Sequence, residues 1–254
     1  MRGGCASAAS SYHKGGAAIF KEIVDLSHDF FTGMPNLGSP ETAFWPTDTF
    51  DKTRILSEGR TSFEARMILM SEHCGTHLDA PRHYDPKGTP VDQIPLEKLV
   101  LPGQLLDFTA KGAREPITIE DFERAAEESG QAIGPGNAVL AWTAQDKQWG
   151  SAPVAWPHVS NSWVTQRPYF PAETADWLVR QGVTLFGTDI IGIDNPDEWW
   201  NPTHLAFCVG GLPFVQQLCN LDKLVAKKFI FAVLPLKMRE GTASPSRPVA
   251  LVLA

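Results

Sequence analysis

Long apolar runs are missing from this 254-residue chain: no stretch approaches the about 18 uninterrupted apolar residues that a membrane-spanning helix needs. The opening MRGGCASAAS carries one Arg but no apolar core of signal-peptide length. Cysteine is scarce. Cys5, Cys74, Cys208 and Cys219 form no CxxC pair, and without a secretion signal they read as reduced thiols of a cytoplasmic protein. Basic residues are in the minority, 22 Lys and Arg against 29 Asp and Glu, for a net charge of −7 and no basic stripe. That balance argues against nucleic acid or an anionic membrane as a partner. There is no GxSxG elbow, which disfavours a serine hydrolase. Internal repeats and long linkers are also absent.

What remains is an ordinary globular composition, 43% hydrophobic and 20% charged, long enough to bury a large core. Residues 1–17 are mostly Gly, Ala and Ser and read as a flexible arm, one that orders on a neighbouring subunit. The folded part, 18–254, is expected to be one domain, opening with a strand at KEIVDLS near Phe20. Apolar strand-like runs recur at 61–70, 99–108, 138–142, 183–187, 229–235 and 248–253, several of them continuous enough for strands covered on both faces. Between them, ITIEDFERAAEESG has a capping Thr118, early acids and a closing Gly130, which predicts a helix. PAETADWLVRQG, with Pro171 in its first turn and Gly182 after its last, predicts another, and GLPFVQQLCNLDKL a third. Strands interleaved with helices give an α/β fold with a sheet core and flanking helices. Two aromatic loop-like stretches, 30–46 and 156–171, are long enough to line a pocket or clasp a partner.

The chemistry concentrates in SEHCGTHLDAPRHYD. His73, His77, Asp79 and His83 form the densest ligand cluster in the chain. Gly75 and Pro81 argue against a helix there, so an extended reading is preferred. Two residues apart in a strand, His77 and Asp79 project to one side. A turn at Gly75 brings His73 round to join them. Two imidazoles and a carboxylate suit zinc, manganese or iron(II), and three protein ligands leave positions open for water and substrate. Cys74 would point away from such a site in an extended chain. His83, just past Pro81, is placed to move a proton, because an imidazole titrates near working pH.

The segment His73-Cys-Gly-Thr-His-Leu-Asp-Ala-Pro-Arg-His83 resembles the HxGTHxDxPxH signature of the cyclase-like metal hydrolases. That group includes bacterial kynurenine formamidase, isatin hydrolase and a trans-dienelactone hydrolase. DLSHDFFTGMP (25–35), LFGTDIIGID (185–194), NPTHLAFCVGGLPFVQQLCNLDKL (201–224) and FAVLPLKMREGTASPSRPVAL (231–251) resemble further stretches of the family in order, so the likeness spans 20–254. The resemblance implies a single swivelling β/β/α domain with a mixed sheet. It implies a metal on His73, His77 and Asp79, with His83 as general acid/base. His204 falls where formamidases place a second-metal ligand, but the glutamate expected twelve residues later is Gln216, a poor ligand for a dication. One divalent ion is therefore expected, manganese before zinc, with His204 and Gln216 as further metal or substrate contacts. Glu72 and Asp189 are candidate acceptors for the second ring nitrogens of His73 and His77.

The formamidase aromatic after the opening Pro is replaced by Asn36, Leu37 and Gly38, so the pocket wall is expected from Phe31, Leu37 and Trp45. The implied activity is hydrolysis of the C–N bond in a small cyclic or aryl amide, such as isatin or an N-formyl aniline. The alternatives are a lactone hydrolase using the same site and a metal-containing binding protein without turnover. The acidic charge, an apolar stretch at 205–218 and the arm are compatible with a homodimer or homotetramer.

Overall fold

The computed structural model describes residues 19–35, 41–149 and 162–254. The arm at 1–17, Leu37 and residues 156–161 of the second loop-like stretch lie outside them. The strands are β1 (Phe20–Asp25), β2 (Ala43–Asp48), β3 (Ala65–Leu69), β4 (His77–Asp79), β5 (Val100–Asp107), β6 (Ala138–Trp142) and β7 (Leu185–Thr188). They continue with β8 (Phe214–Gln216), β9 (Phe229–Ala232), β10 (Ala243–Pro245) and β11 (Val249–Leu253). The helices are α1 (Phe50–Leu56), α2 (Ile119–Ser129), the single turn α3 (Ser162–Thr165), α4 (Ala172–Arg180) and α5 (Pro202–Val209).

One mixed sheet organises the chain, in the order β1-β11-β9-β5-β6-β7-β8-β4-β10. Its centre, β5 to β8, is parallel, and the remaining pairs are antiparallel. Central strands in such a sheet are covered on both faces, which explains their unbroken apolar runs. In β6, Ala138 and Leu140 enter one core while Val139 and Ala141 enter the other. Leu185 and Phe186 divide in the same way, as do Val215 and Phe214. The second core is closed by helices: Phe122 and Ala125 of α2, Ala175 and Leu178 of α4, and Phe207 of α5. Phe122, Phe170, Phe186, Phe207 and Phe214 are fully buried there. Burying a side chain of this kind stabilises by roughly 1.5–3 kcal/mol.

Helix α2 matches its sequence signals. Thr118 accepts from the Asp121 backbone N–H, Asp121 caps in return, and Gly130 closes the helix at φ 67°. Helix α4 also forms, with Pro171 at its N-cap position rather than inside its first turn.

One expectation is corrected. GLPFVQQLCNLDKL is not a helix. Its first half is β8, clamped between β7 and β4, and its end is a single 3-10 turn at Leu221–Leu224. Gln217 and Asn220 adopt positive φ (57° and 59°), which no α-helix allows, and the apolar run reflects burial on both faces of a strand. The 61–70 run forms β3, as expected. It pairs with β2 in a separate two-stranded ribbon, where Met67, Ile68 and Leu69 are exposed. The 30–46 stretch likewise ends in β2 rather than remaining loop throughout.

Candidate metal centre

The site is built on β4, which lies between β8 and β10 with His77 opposite Gln216 and Pro245, and Asp79 opposite Phe214 and Ala243. His77 and Asp79 share a side of the strand, and His77 Nε2 lies 3.4 Å from Asp79 Oδ1. Gly75 turns the chain just before the strand. Its φ is +57°, and a Cβ there would sit 2.9 Å from the Phe30 ring, so both conformation and space call for glycine. The turn returns His73, whose Nδ1 stands 2.7 Å from the same Asp79 Oδ1. After the strand, a short 3-10 turn at Pro81–His83 folds His83 back over His73, with ring centroids 3.9 Å apart. The sequence cluster is therefore a spatial cluster. One ligand atom each from His73, Asp79 and His83 lies within 4.8 Å of the others, and His77, outside that group, has its Nε2 3.4 Å from Asp79 Oδ1.

Hydrogen-bond accounting shows what the cluster fits. Glu72 accepts from the Thr242 and Ala243 backbone N–H groups and from the Thr242 hydroxyl. Burial opposes its charge, but those bonds hold it below the usual carboxylate range. The Thr242 proton is thus committed to Glu72, and its oxygen accepts from His73 Nε2 at 3.0 Å. That leaves the His73 Nδ1 lone pair facing Asp79 Oδ1. His77 donates from Nδ1 to the Gly75 carbonyl at 2.7 Å, so its Nε2 lone pair faces the same oxygen. Acceptors converge there without a donor, which is the chemistry of a cation site, and the residues fit a divalent ion.

Asp79 is fully buried. Burial would raise its pKa, but the charge and hydrogen bonds that the His77 and His73 rings supply when they are protonated, the alternative to a cation at this place, hold it well below the ordinary value. For His77 burial works downward, and Asp79 together with the Gly75 carbonyl more than offsets it. His83 is pushed down to about 4, by burial first and then by the neighbouring imidazoles, against the pull of Asp79.

The far wall comes from α5 and β8. His204 is buried, 3.9 Å from Asp79 Oδ2 through its Nε2, and its ring lies tilted against Tyr84 and edge-to-face with Phe214. Gln216 donates from Nε2 to Asp79 Oδ2 at 2.6 Å. The structure thus brings His73, His77, Asp79, His83, His204 and Gln216 together. Of the expected pocket wall, Leu37 lies outside the described residues. Phe31 and Trp45 are each about two-fifths exposed (42% and 41%), and among the described residues neither ring pairs with a site histidine. Phe30, not Phe31, is the aromatic against the motif.

Asp189 is also corrected. It accepts from the Thr143 N–H and hydroxyl rather than from a ligand histidine, and Glu72 reaches His73 only through Thr242. Sequence reasoning passes over Thr242, Tyr84 and Asp194. Thr242 and Asp194 lie in stretches that resemble the family, and Tyr84 follows His83 directly, but only the fold shows their contacts.

Comparison with known proteins agrees with this geometry. The cyclase family model, described as "Putative cyclase", matches residues 24–195. Kynurenine formamidase of Erythrobacter litoralis is 29% identical over 232 residues, covering 90% of this chain and 93% of that protein. Isatin hydrolase of Roseibium aggregatum is 30% identical over 207 residues, 75% of each chain. Among solved structures, an isatin hydrolase bound to the product analogue thioisatinate superposes with a TM-score of 0.78 at 25% identity, covering 92% of this chain and 93% of that one. The family match takes in β4, the turn at Gly75 and every residue of the 73–83 cluster, and on that ground the chain belongs to the cyclase family.

Proposed function

We propose that this chain is a metal-dependent hydrolase that cleaves the C–N bond of a small cyclic or aryl amide, isatin-like or N-formyl-aryl. The observation that carries the reading is the convergence of His73 Nδ1 and His77 Nε2 on a single oxygen of buried Asp79, with no donor left among them. The family's relatives named for formamidase and isatin hydrolase activity supply the bond type. His73, His77 and Asp79 would hold the ion. A divalent ion supplies Lewis acidity toward a carbonyl and acidifies water enough to give a nucleophile near neutral pH.

The remaining work falls to side chains. His83 is a neutral imidazole at neutral pH, with its ring beside Asp79 and His204. It can take the proton from the attacking water and hand it to the departing nitrogen, so water adds across the C–N bond and the amine leaves neutral. The Asp79 carboxylate favours the imidazolium formed in between. Gln216 is engaged at both ends, its Nε2 on Asp79 and its Oε1 on the Gly192 N–H at 2.9 Å, so it holds Asp79 rather than an ion. This supports one ion per chain; manganese before zinc follows from the resemblance to the isatin hydrolases alone.

The reading extends to a cytoplasmic homodimer or homotetramer. The buried thiols of Cys74, Cys208 and Cys219 fit a reducing compartment, and the exposed apolar side chains of β3 fit an interface. Among the described residues no helix is long and apolar enough to cross a membrane. The test is elemental analysis of the purified protein, with parallel assays on isatin, N-formylkynurenine and a dienelactone. About one manganese or zinc per chain and turnover of an amide are expected. Two ions per chain would overturn the role given to Gln216, and turnover of the dienelactone alone would overturn the bond assignment.

A further inference from the structure

Ten residues before His204, at the end of the run that follows β7, Asp194 is buried and bifunctional. Its Oδ1 accepts from the Thr203 N–H at 2.6 Å and the His204 N–H at 3.3 Å, two buried donors at the start of α5 that have no partner within the helix. Its Oδ2 accepts from His204 Nδ1. One carboxylate therefore fixes both the helix that carries His204 and the ring itself.

The opposite edge of that ring reports the same tautomer independently. The Gly192 N–H can only donate, so the Gln216 atom facing it must be Oε1. With Oε1 fixed there, the Gln216 atom that faces Asp79 Oδ2 at 2.6 Å is Nε2, which donates. So oriented, Gln216 presents Nε2 to His204 Nε2 at 3.1 Å. An amide nitrogen donates, so His204 Nε2 must be the bare nitrogen and Nδ1 must carry the proton. Asp194 is the group that accepts it. The chain Asp194–His204–Gln216–Asp79 is thus a polar relay in which each donor and acceptor is determined by its neighbours.

We infer that Asp194 is a positioning residue of the metal centre. By holding His204 in the Nδ1–H form, it keeps the Gln216 amide on Asp79 Oδ2 and so leaves Asp79 Oδ1 aimed at His73 and His77. The inference rests on the reading of that cluster as a metal site. Groups of this kind behind metal ligands typically change metal affinity or activity 10–100-fold (an order-of-magnitude range) when altered.

The variant Asp194→Asn separates positioning from folding. The amide oxygen still accepts from the Thr203 N–H, so the helix start is retained. The amide nitrogen, however, faces His204 Nδ1 with a donor and drives the ring to the Nε2–H form, against the Gln216 donor. Gln216 cannot turn over without setting its oxygen against Asp79 and its nitrogen against the Gly192 N–H. Ring proton–nitrogen correlation NMR on the metal-free protein, assigned by loss of signals in His204→Gln, reads the tautomer directly. Wild type should show Nδ1 protonated, and Asp194→Asn should show Nε2 protonated. Manganese affinity by chelator competition should fall roughly 10–100-fold, with the thermal midpoint of the metal-free variant close to wild type.

Gln216→Met, which cuts the relay beyond His204, should lose manganese affinity to a similar degree. Nε2 protonated in wild type would overturn the inference even if the variant fails to fold. So would unchanged manganese affinity in either variant. Inactivity of the wild type on every amide would sink the proposed reaction and leave these readouts standing.

Discussion

Replacing Asp189 by Asn should flatten the dependence of stability on pH, and the size of the effect follows from where the carboxyl sits. Asp189 is 1% exposed. One oxygen accepts from Thr143, through its N–H at 3.0 Å and its hydroxyl at 2.7 Å, while the other has no hydrogen-bond partner among the described residues. Burial, and then the nearby Asp146 charge, push its pKa up to about 7 from 3.8, against the Thr143 hydrogen bonds. Around it, Asp146 is itself paired with Lys147, which also approaches Asp222.

A folded pKa above the unfolded one means that the native state binds the proton more tightly. Stability from this group is then complete below about pH 4 and drains away as pH rises through about 7. A rise from 3.8 to about 7 corresponds to about 4 kcal/mol in full, at about 1.4 kcal/mol for each tenfold change in proton affinity. Between pH 5 and 8 the unfolded chain is already deprotonated, so roughly 3 kcal/mol should be lost over that span. For a chain of this length that is roughly 6–12 °C in Tm. In Asp189→Asn the Oδ1 bonds to Thr143 are retained and nothing titrates. Urea and thermal midpoints of both proteins, taken at each pH from 5 to 8, should give curves about 1 kcal/mol apart at pH 5 that separate by roughly 3 kcal/mol more by pH 8, the variant being the more stable. Parallel curves would refute the reasoning.

His77→Ala should lose bound metal and turnover together, whereas His83→Ala should keep its metal and lose turnover; metal retention in the first or near-normal rate in the second, measured on the same preparations, would reverse the assignment of ligand and base. Gly75→Ala should destabilise by about 2–4 kcal/mol, from a left-handed backbone that disfavours a side chain and a Cβ 2.9 Å from the Phe30 ring. An unchanged denaturation midpoint would show that the turn carries no such constraint.

The parts of this molecule that are legible in the sequence are those whose physics is local. Thr118 and Gly130 bound α2 because capping and left-handed closure involve neighbours a few residues apart. The ligand cluster is legible for the same reason: His73, His77, Asp79 and His83 lie on one strand and the turns beside it. Three-residue strands such as β4, β8 and β10 leave no periodicity to detect, and the run containing β8 reads as helix because burial on both faces erases the alternation that marks a strand. Partners brought from afar are invisible. Nothing near residue 73 signals that the Thr242 hydroxyl will orient that ring from 169 positions away, and nothing near Asp194 distinguishes it from Asp189 in the same short run. The two acids are separated only by what the fold sets against them: Thr143 for one, and the start of α5 with the His204 ring for the other.

The placement of β4 explains why so small a segment can bear this chemistry. Asp79 is a fully buried charge, and a buried charge is tolerated only where paired groups surround it. β8 supplies Gln216 to one oxygen, and the turn at Gly75 supplies two imidazoles to the other. Strand β10 continues from Thr242, which fixes the orientation of one of those imidazoles. A one-residue slip of β4 against β8 would turn Leu78 into the site and Asp79 into the apolar core, so the sheet register that buries Leu78 also sets the metal ligands. The fold and the site are in this sense specified by the same pairing. Substitutions that loosen the β4–β8 register are therefore expected to cost metal binding before they cost the global fold, because the large apolar cores anchor the other strands while the ligand geometry depends on this short pair.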